Sequence, residues 1–257
     1  MDSVPEVTEV QDRGPAAYIA EFIGTLLLVF FITAVLSLYN FVPTKAIPTP
    51  FIDFSVIGLV HAFILFTLIQ TLAVISGAHF NPAVTVAMTV LRQIKPPDAV
   101  VYIVAQLAGG VGGALLTRLL LEDEGKAGHY GITAVSGHLD KAILPGMIVE
   151  GIGTFFLVWV IVGVAVNPRA TKEWAAFAIG AALGALVMVI GPLTGAGFNP
   201  ARSFGPAIVS GEFNGVGDFL LVYVVATVIG AVVAGLLYLN LVIAPGQKGL
   251  GGAEPVG

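Results

Sequence analysis

Asn81 and Asn199 are the residues whose type and setting suit them to holding a small hydrogen-bonding molecule, since an amide offers two N–H donors and a carbonyl acceptor. Each stands in a near-copy of one ten-residue phrase, SGAHFNPAVT from Ser76 to Thr85 and TGAGFNPARS from Thr194 to Ser203, offset by 118 residues with six identities. A proline follows each asparagine, and proline suits the first position of a helix, where its missing N–H is no loss and its φ is already helical. The phrases therefore predict helices beginning at Pro82-Ala83 and Pro200-Ala201, N-capped by Asn81 and Asn199. Two such N-termini, each carrying about half a positive charge, would repel cations where they meet and leave the two amides to orient a neutral molecule. An anion site is the alternative for the same geometry, disfavoured by the lack of Lys or Arg beyond Arg202.

Arg202 breaks the repeat, standing where the first phrase has Val84. An arginine inside a membrane span costs at least about 2.5 kcal/mol on insertion scales, so it must face a cavity, as a selectivity constriction would require. Two acids repeat as well: AEFIGTLLLVF at Ala20–Phe30 echoes VEGIGTFFLVW at Val149–Trp159, setting Glu21 against Glu150. Backbone buried at membrane depth needs partners, and these carboxylates are read as acceptors for the loop N–H groups, with a proton relay as the alternative.

The elements that must position these groups follow from composition. Of 257 residues, 57% are hydrophobic and 11% charged, the net charge is −5 and mean hydropathy is +0.96, which describes an integral membrane protein without a basic face for nucleic acid. There is no cysteine, hence no disulfide and no thiolate nucleophile; neither HExxH nor a partnered GxSxG is present, and no cofactor or metal set is read. The polar start of the chain lacks a basic n-region, so the first apolar run is expected to stay as a span. Six runs are long enough to cross a bilayer: Ala16–Tyr39, Phe54–Val74, Ala99–Leu121, Ala142–Val166, Trp174–Leu193 and Asp218–Ala244. They divide into a tail (1–15), a first repeat (16–121), a polar connection (122–141), a second repeat (142–244) and a Gly-rich tail (245–257). Pro43, Pro48 and Pro50 stiffen the first connection.

With three crossings per repeat, the second copy enters the membrane inverted. The segments after Pro82 and Pro200 are too short to span and are expected to be re-entrant half-helices meeting near the midplane. Gly109 and Gly113, and Gly180 and Gly184, have the spacing that permits close helix contact. Flanking basic residues split evenly, Arg92, Lys95, Arg169 and Lys172 against Lys45, Arg118, Lys126 and Lys141, so charge counting does not choose an orientation.

From about Ala16 to Ala244 the chain resembles the aquaporin and glycerol-facilitator, or major intrinsic protein, family, on SGAHFNPAVT, GFNPARSFGPA and the repeated Glu-x-x-Gly-Thr. The resemblance implies an all-α right-handed bundle of six transmembrane helices plus two half-helices, a passive pore in each protomer of a homotetramer, cytosolic termini and an outward-facing Arg202. It places the outer constriction on His61, Val187, Ala196 and Arg202. Water-specific members carry an aromatic and a histidine at the first two positions; His61 and Val187 are more similar to plant tonoplast intrinsic proteins, which pass ammonia, urea or peroxide beside water. On this reading His61 supplies the donor that position 187 lacks. Without the resemblance His61 reads first as a buried histidine satisfied by a neighbour. Ser203 and Ala207 are the water-type choice, making a glycerol facilitator the lesser alternative, while Val222 and Tyr223 depart from the usual aromatic pair. His129 is read either as lining the outer vestibule or as a solvated loop residue.

The implied function is a conduit for water and small neutral solutes (ammonia, urea, hydrogen peroxide) across a lipid bilayer, closed to protons and ions. A secondary transporter is the rival from another class, since inverted repeats and broken helices serve both. Ala, Gly and Val usage leans to a bacterial inner membrane, a plant vacuolar membrane being the alternative.

Overall fold

The computed structural model describes residues 13–41 and 51–245. Residues 1–12 and 246–257 of the tails, Lys45, and the prolines at 43, 48 and 50 lie outside the described residues. Nine helices occur among those described: α1 (Pro15–Leu38), α2 (Phe54–Ser76), α3 (Pro82–Val90), α4 (Pro96–Leu120), α5 (Glu122–Ala127), α6 (Ile143–Val166), α7 (Ala175–Thr194), α8 (Pro200–Ser210) and α9 (Val216–Ile243). Six of them are long and apolar enough to cross a membrane. At 1.5 Å per residue, α3 and α8 reach only roughly 14 and 17 Å, about half a hydrocarbon core. Proline starts four of the helices, at Pro15, Pro82, Pro96 and Pro200, where the helix needs no N–H.

α2 has a different start. Asp53 caps it by accepting from the N–H of Ser55 and of Val56, and the Ser55 hydroxyl and Val56 N–H bonds hold its carboxyl below the usual carboxylate range. Just before it, β1 (Asn40–Phe41) and β2 (Phe51–Ile52) pair antiparallel, closing a connection that the sequence marked only by its prolines.

α1 packs on α4, α6 on α9 and α2 on α7, so each repeat is one helix pair joined to the other through α2 and α7. Backbone approach at these crossings is close. A methyl on Gly109 would lie 2.5 Å from Phe22 O and one on Gly180 2.4 Å from Ala62 O, distances at which only glycine fits. The buried core is apolar around Ile57, Phe80, Phe198 and Val187, while large apolar side chains such as Leu119, Ile148, Val189 and Leu241 cover the outside.

The connection over 122–141 has more structure than its polar sequence suggested: α5, held by a Lys126–Glu122 ion pair one turn apart, then tight turns at His129–Gly131 and Gly137–Leu139. Wider π-type turns continue α6 at Val162–Val166 and interrupt α9 at Leu220–Val225, features without a periodic signature in the sequence.

Candidate functional site

The two repeated phrases fold alike. Gly77, Ala78 and Phe80 take positive φ (83°, 52° and 47°), and Gly195, Ala196 and Phe198 repeat this at 79°, 52° and 51°. These left-handed residues turn successive N–H groups to one side, making a nest for an anion. That anion is a buried carboxylate. Glu21, fully buried, accepts the N–H of His79 (2.9 Å) and of Phe80 (2.7 Å) and the Ser76 hydroxyl (2.7 Å). Glu150, likewise buried, accepts the N–H of Gly197 (2.9 Å) and of Phe198 (2.7 Å) and the Thr194 hydroxyl (2.6 Å). With non-glycine left-handed backbone costing about 1–2 kcal/mol per residue, such bonds hold the conformation in place.

Asn81 and Asn199 cap α3 and α8 through their amide oxygens, which accept from Ala83 N (2.9 Å) and Ala201 N (3.0 Å). Their nitrogens cross the repeat boundary: Asn81 Nδ2 donates to Phe198 O (2.9 Å) and Asn199 Nδ2 to Phe80 O (2.8 Å). One N–H of each amide is therefore spent on stitching the loops together. Pro82, Ala83, Pro200 and Ala201 are buried behind these asparagines.

A cavity of about 500 Å³ runs past both asparagines. Arg13, Gln93 and Lys172 line one end and His61, Ala196 and Arg202 the other, with Leu28, Ile32 and Val84 among the apolar wall between. Arg202 donates from Nη1 to Gly131 O (2.9 Å) and from Nη2 to Gly195 O (3.4 Å), while its Nε is buried with no partner among the described residues. His61 Nδ1 lies 2.8 Å from Ile57 O. A carbonyl only accepts, so Nδ1 carries the proton, and a neutral ring then keeps a lone pair on Nε2, which is buried and unpartnered among the described residues. The ring's N–H is thus spent on its own helix, and His61 contributes an acceptor where the sequence reading gave it a donor. Val187 is packed with Ile57 and Ala196 in the apolar core and is not among the residues lining the cavity. His129 is exposed and points away to Glu212, Nδ1 to Oε1 3.0 Å, in a surface pair rather than on the cavity wall.

Three supporting roles escaped the sequence reading, those of Gln106, Tyr102 and Tyr223. Gln106 Nε2 gives Glu21 a fourth donor (2.8 Å) and reaches Thr85 Oγ1 (2.9 Å). The hydroxyls of Tyr102 and Tyr223 each donate at 2.8 Å to the last carbonyl before a loop, Ser76 O and Thr194 O. A lone glutamine in an apolar span and two tyrosines at matching places in the third span of each repeat were the available signals. At the Arg13 end, Lys172 Nζ donates to Asn167 O (2.7 Å) and Ala165 O (3.0 Å), closing the end of α6, and burial lowers the pKa of this ammonium.

The sequence model of one family, major intrinsic protein, matches residues 10–238. Nodulin-26 of Glycine max is 39% identical over 217 residues, 83% of this chain and 74% of that protein. Aquaporin AqpM of Methanothermobacter thermautotrophicus is 36% identical over 86% of this chain and 94% of its own length, and aquaporin TIP2-1 of Arabidopsis thaliana 36% over 88% and 86%. Among solved structures, the aquaglyceroporin from Plasmodium falciparum superposes with a TM-score of 0.75 at 23% identity, covering 91% of this chain and 98% of that one, a likeness of fold.

Proposed function

Because the chain belongs to the major intrinsic protein family of multi-pass membrane channels, we propose that it conducts water passively and admits small neutral solutes, urea, ammonia and hydrogen peroxide, while excluding protons and ions. The observation that carries this reading is the continuous cavity whose apolar wall is interrupted at a few polar levels, the two asparagines at the centre and His61 with Arg202 at one end. Water reaching the centre finds two helix N-termini and one free N–H from each amide. It is held by its oxygen with its hydrogens turned outward, which breaks the chain of donors that proton hopping needs.

The solute range rests on the constriction. His61 Nε2 offers an acceptor and Arg202 Nε a donor, a combination that suits water and equally suits urea or ammonia. Val187 carries no ring that could reach into the lumen, and Ala196 is small, so the opening is wider than an aromatic would leave it. Ser203 and Ala207 favour this reading over a glycerol facilitator. Fixed cross-loop bonds from Asn81 and Asn199 favour a rigid conduit over a transporter that must alternate. The family resemblance supports a homotetramer with cytosolic termini and Arg202 facing outward. Composition supports a bacterial inner membrane ahead of a plant vacuolar one.

Stopped-flow light scattering on proteoliposomes shifted into hyperosmotic urea, then glycerol, tests the proposal, since shrinkage reports water and reswelling reports solute. Fast shrinkage with urea reswelling and little glycerol uptake is expected; His61→Phe should slow urea far more than water. Shrinkage without urea reswelling would make the pore water-selective, and equal losses of both in His61→Phe would remove His61 from the constriction.

A further inference from the structure

The inverted repeat sets Ile75 against Leu193, Gly77 against Gly195 and Val84 against Arg202. In the second repeat both carbonyls along the loop's outer edge are served: Leu193 O accepts from Ser136 N at 2.8 Å and Gly195 O from Arg202 Nη2 at 3.4 Å. The first repeat has valine at the matching place, and its loop is covered by a residue from outside the phrase. Arg13, ahead of α1, donates from Nη1 to Ile75 O (3.5 Å), and its Nη2 lies 3.4 Å from where a Cβ of Gly77 would be. Arg13 lines the same cavity as Arg202, at the opposite end.

The Arg13 charge is poorly compensated. Its Nε is buried and lacks a partner, its one carbonyl contact is long, and no carboxylate pairs with it among the described residues. Lys172, the other cation lining this mouth, is set instead against carbonyls at the C-terminal end of α6, whose dipoles offset its charge.

We propose that Arg13 is a second selectivity residue, a guanidinium laid over the first-repeat loop as Arg202 is laid over the second, which gives the mouth opposite Arg202 a fixed positive charge that turns cations away. The pore then carries a cation barrier at each mouth, supplied in one repeat by the loop helix and in the other by the segment before the first span. The inference rests on the channel reading above.

The test compares the full-length parent with Arg13→Gln and Arg13→Lys in proteoliposomes, measuring osmotic water permeability and uptake of radiolabelled methylammonium at a pH where it is almost wholly cationic. Arg13→Gln should raise the ratio of methylammonium to water permeability about tenfold, the lower end of the scale on which a charged cleft alters local ion concentration, and Arg13→Lys should stay near the parent. An unchanged ratio in Arg13→Gln, or the same rise in Arg13→Lys, would overturn the proposal. So would loss of folded protein in both variants, which would make Arg13 a structural pin. A parent protein no faster than empty liposomes would instead overturn the channel reading itself.

Discussion

The two repeats solve one problem, holding a buried loop, with nearly the same atoms and then part in what surrounds each loop. Glu21 and Glu150 each bind two successive loop N–H groups and the hydroxyl just before the loop, at distances agreeing within about 0.1 Å. Tyr102 and Tyr223 cap the carbonyl before each loop identically. Beyond this inner shell the halves differ. The first repeat adds Gln106 to its carboxylate and fastens it to Thr85, whereas the second has Thr227 at the matching place, bonded within its own helix, and Ser203 Oγ is left buried without a partner among the described residues. The second repeat carries its arginine within the phrase, tied to Gly131 of the long connection. Symmetry is kept in the bonds that hold each loop to its carboxylate, and it is broken at the glutamine beside Glu21 and at the arginine within the second phrase.

The largest test of this comparison removes the carboxylates. Glu21→Ala takes away the acceptor of four donors, of which Gln106 keeps its bond to Thr85, and Glu150→Ala that of three, at about 1–3 kcal/mol for each donor left buried without a partner. Against the 5–15 kcal/mol typical of whole domains, both variants should fail to give monodisperse protein in detergent, Glu21→Ala more completely. Size-exclusion profiles and thermal unfolding would show it, and a well-folded Glu150→Ala would mean that the cross-loop asparagine bonds suffice alone.

A smaller and more symmetric effect is expected at Gly24 and Gly153. Each lies three residues after its glutamate, and a methyl there would fall 2.0 Å from the Phe80 ring or 2.1 Å from the Phe198 ring. Overpacking of this kind costs about 1–3 kcal/mol, so Gly24→Ala and Gly153→Ala should lower the unfolding temperature alike, with Phe80→Leu and Phe198→Leu restoring part of the loss in the respective double variants. Unequal losses would show that one loop yields where the other does not.

The fold was legible because its signals are local and repeated. Twenty-residue apolar runs specify spans, proline after asparagine specifies a helix start, and an odd number of crossings per repeat specifies inversion. Counting unsatisfied backbone in a medium without water pointed to the glutamates as acceptors, and the prolines pointed to the asparagines as N-caps. What the sequence did not carry was direction. Nothing in the order of residues says that the Asn81 amide donates to the carbonyl of Phe198, 117 residues away, that His61 spends its N–H on Ile57, or that His129 turns outward to Glu212. The single N–H of a neutral imidazole goes to whichever acceptor the helix brings near, and only the folded chain shows which. Val187 illustrates the same limit, since the resemblance assigns it to the constriction but does not say whether a short side chain reaches the cavity wall.

Gln106→Thr makes the first repeat chemically like the second, and is the finest probe of what separates them. The substitution removes the Nε2 donor to Glu21 Oε2 and to Thr85 Oγ1 but leaves the carboxylate its two loop N–H groups and the Ser76 hydroxyl, the set that Glu150 holds. A threonine can turn its hydroxyl to the carbonyl one turn back, as Thr227 does to Tyr223 O, so no new buried donor is stranded. The loss should therefore be about 2 kcal/mol, mostly that of the bond to the charged carboxylate with a smaller part from the bond to Thr85, seen as a modest drop in unfolding temperature with water permeability kept. If the loss instead approaches that of Glu21→Ala, the glutamine is the residue that orients the carboxylate, and the two repeats hold their loops by different means. Combined with Glu21→Ala, Gln106→Thr should add little, because both remove the same bond and their effects overlap.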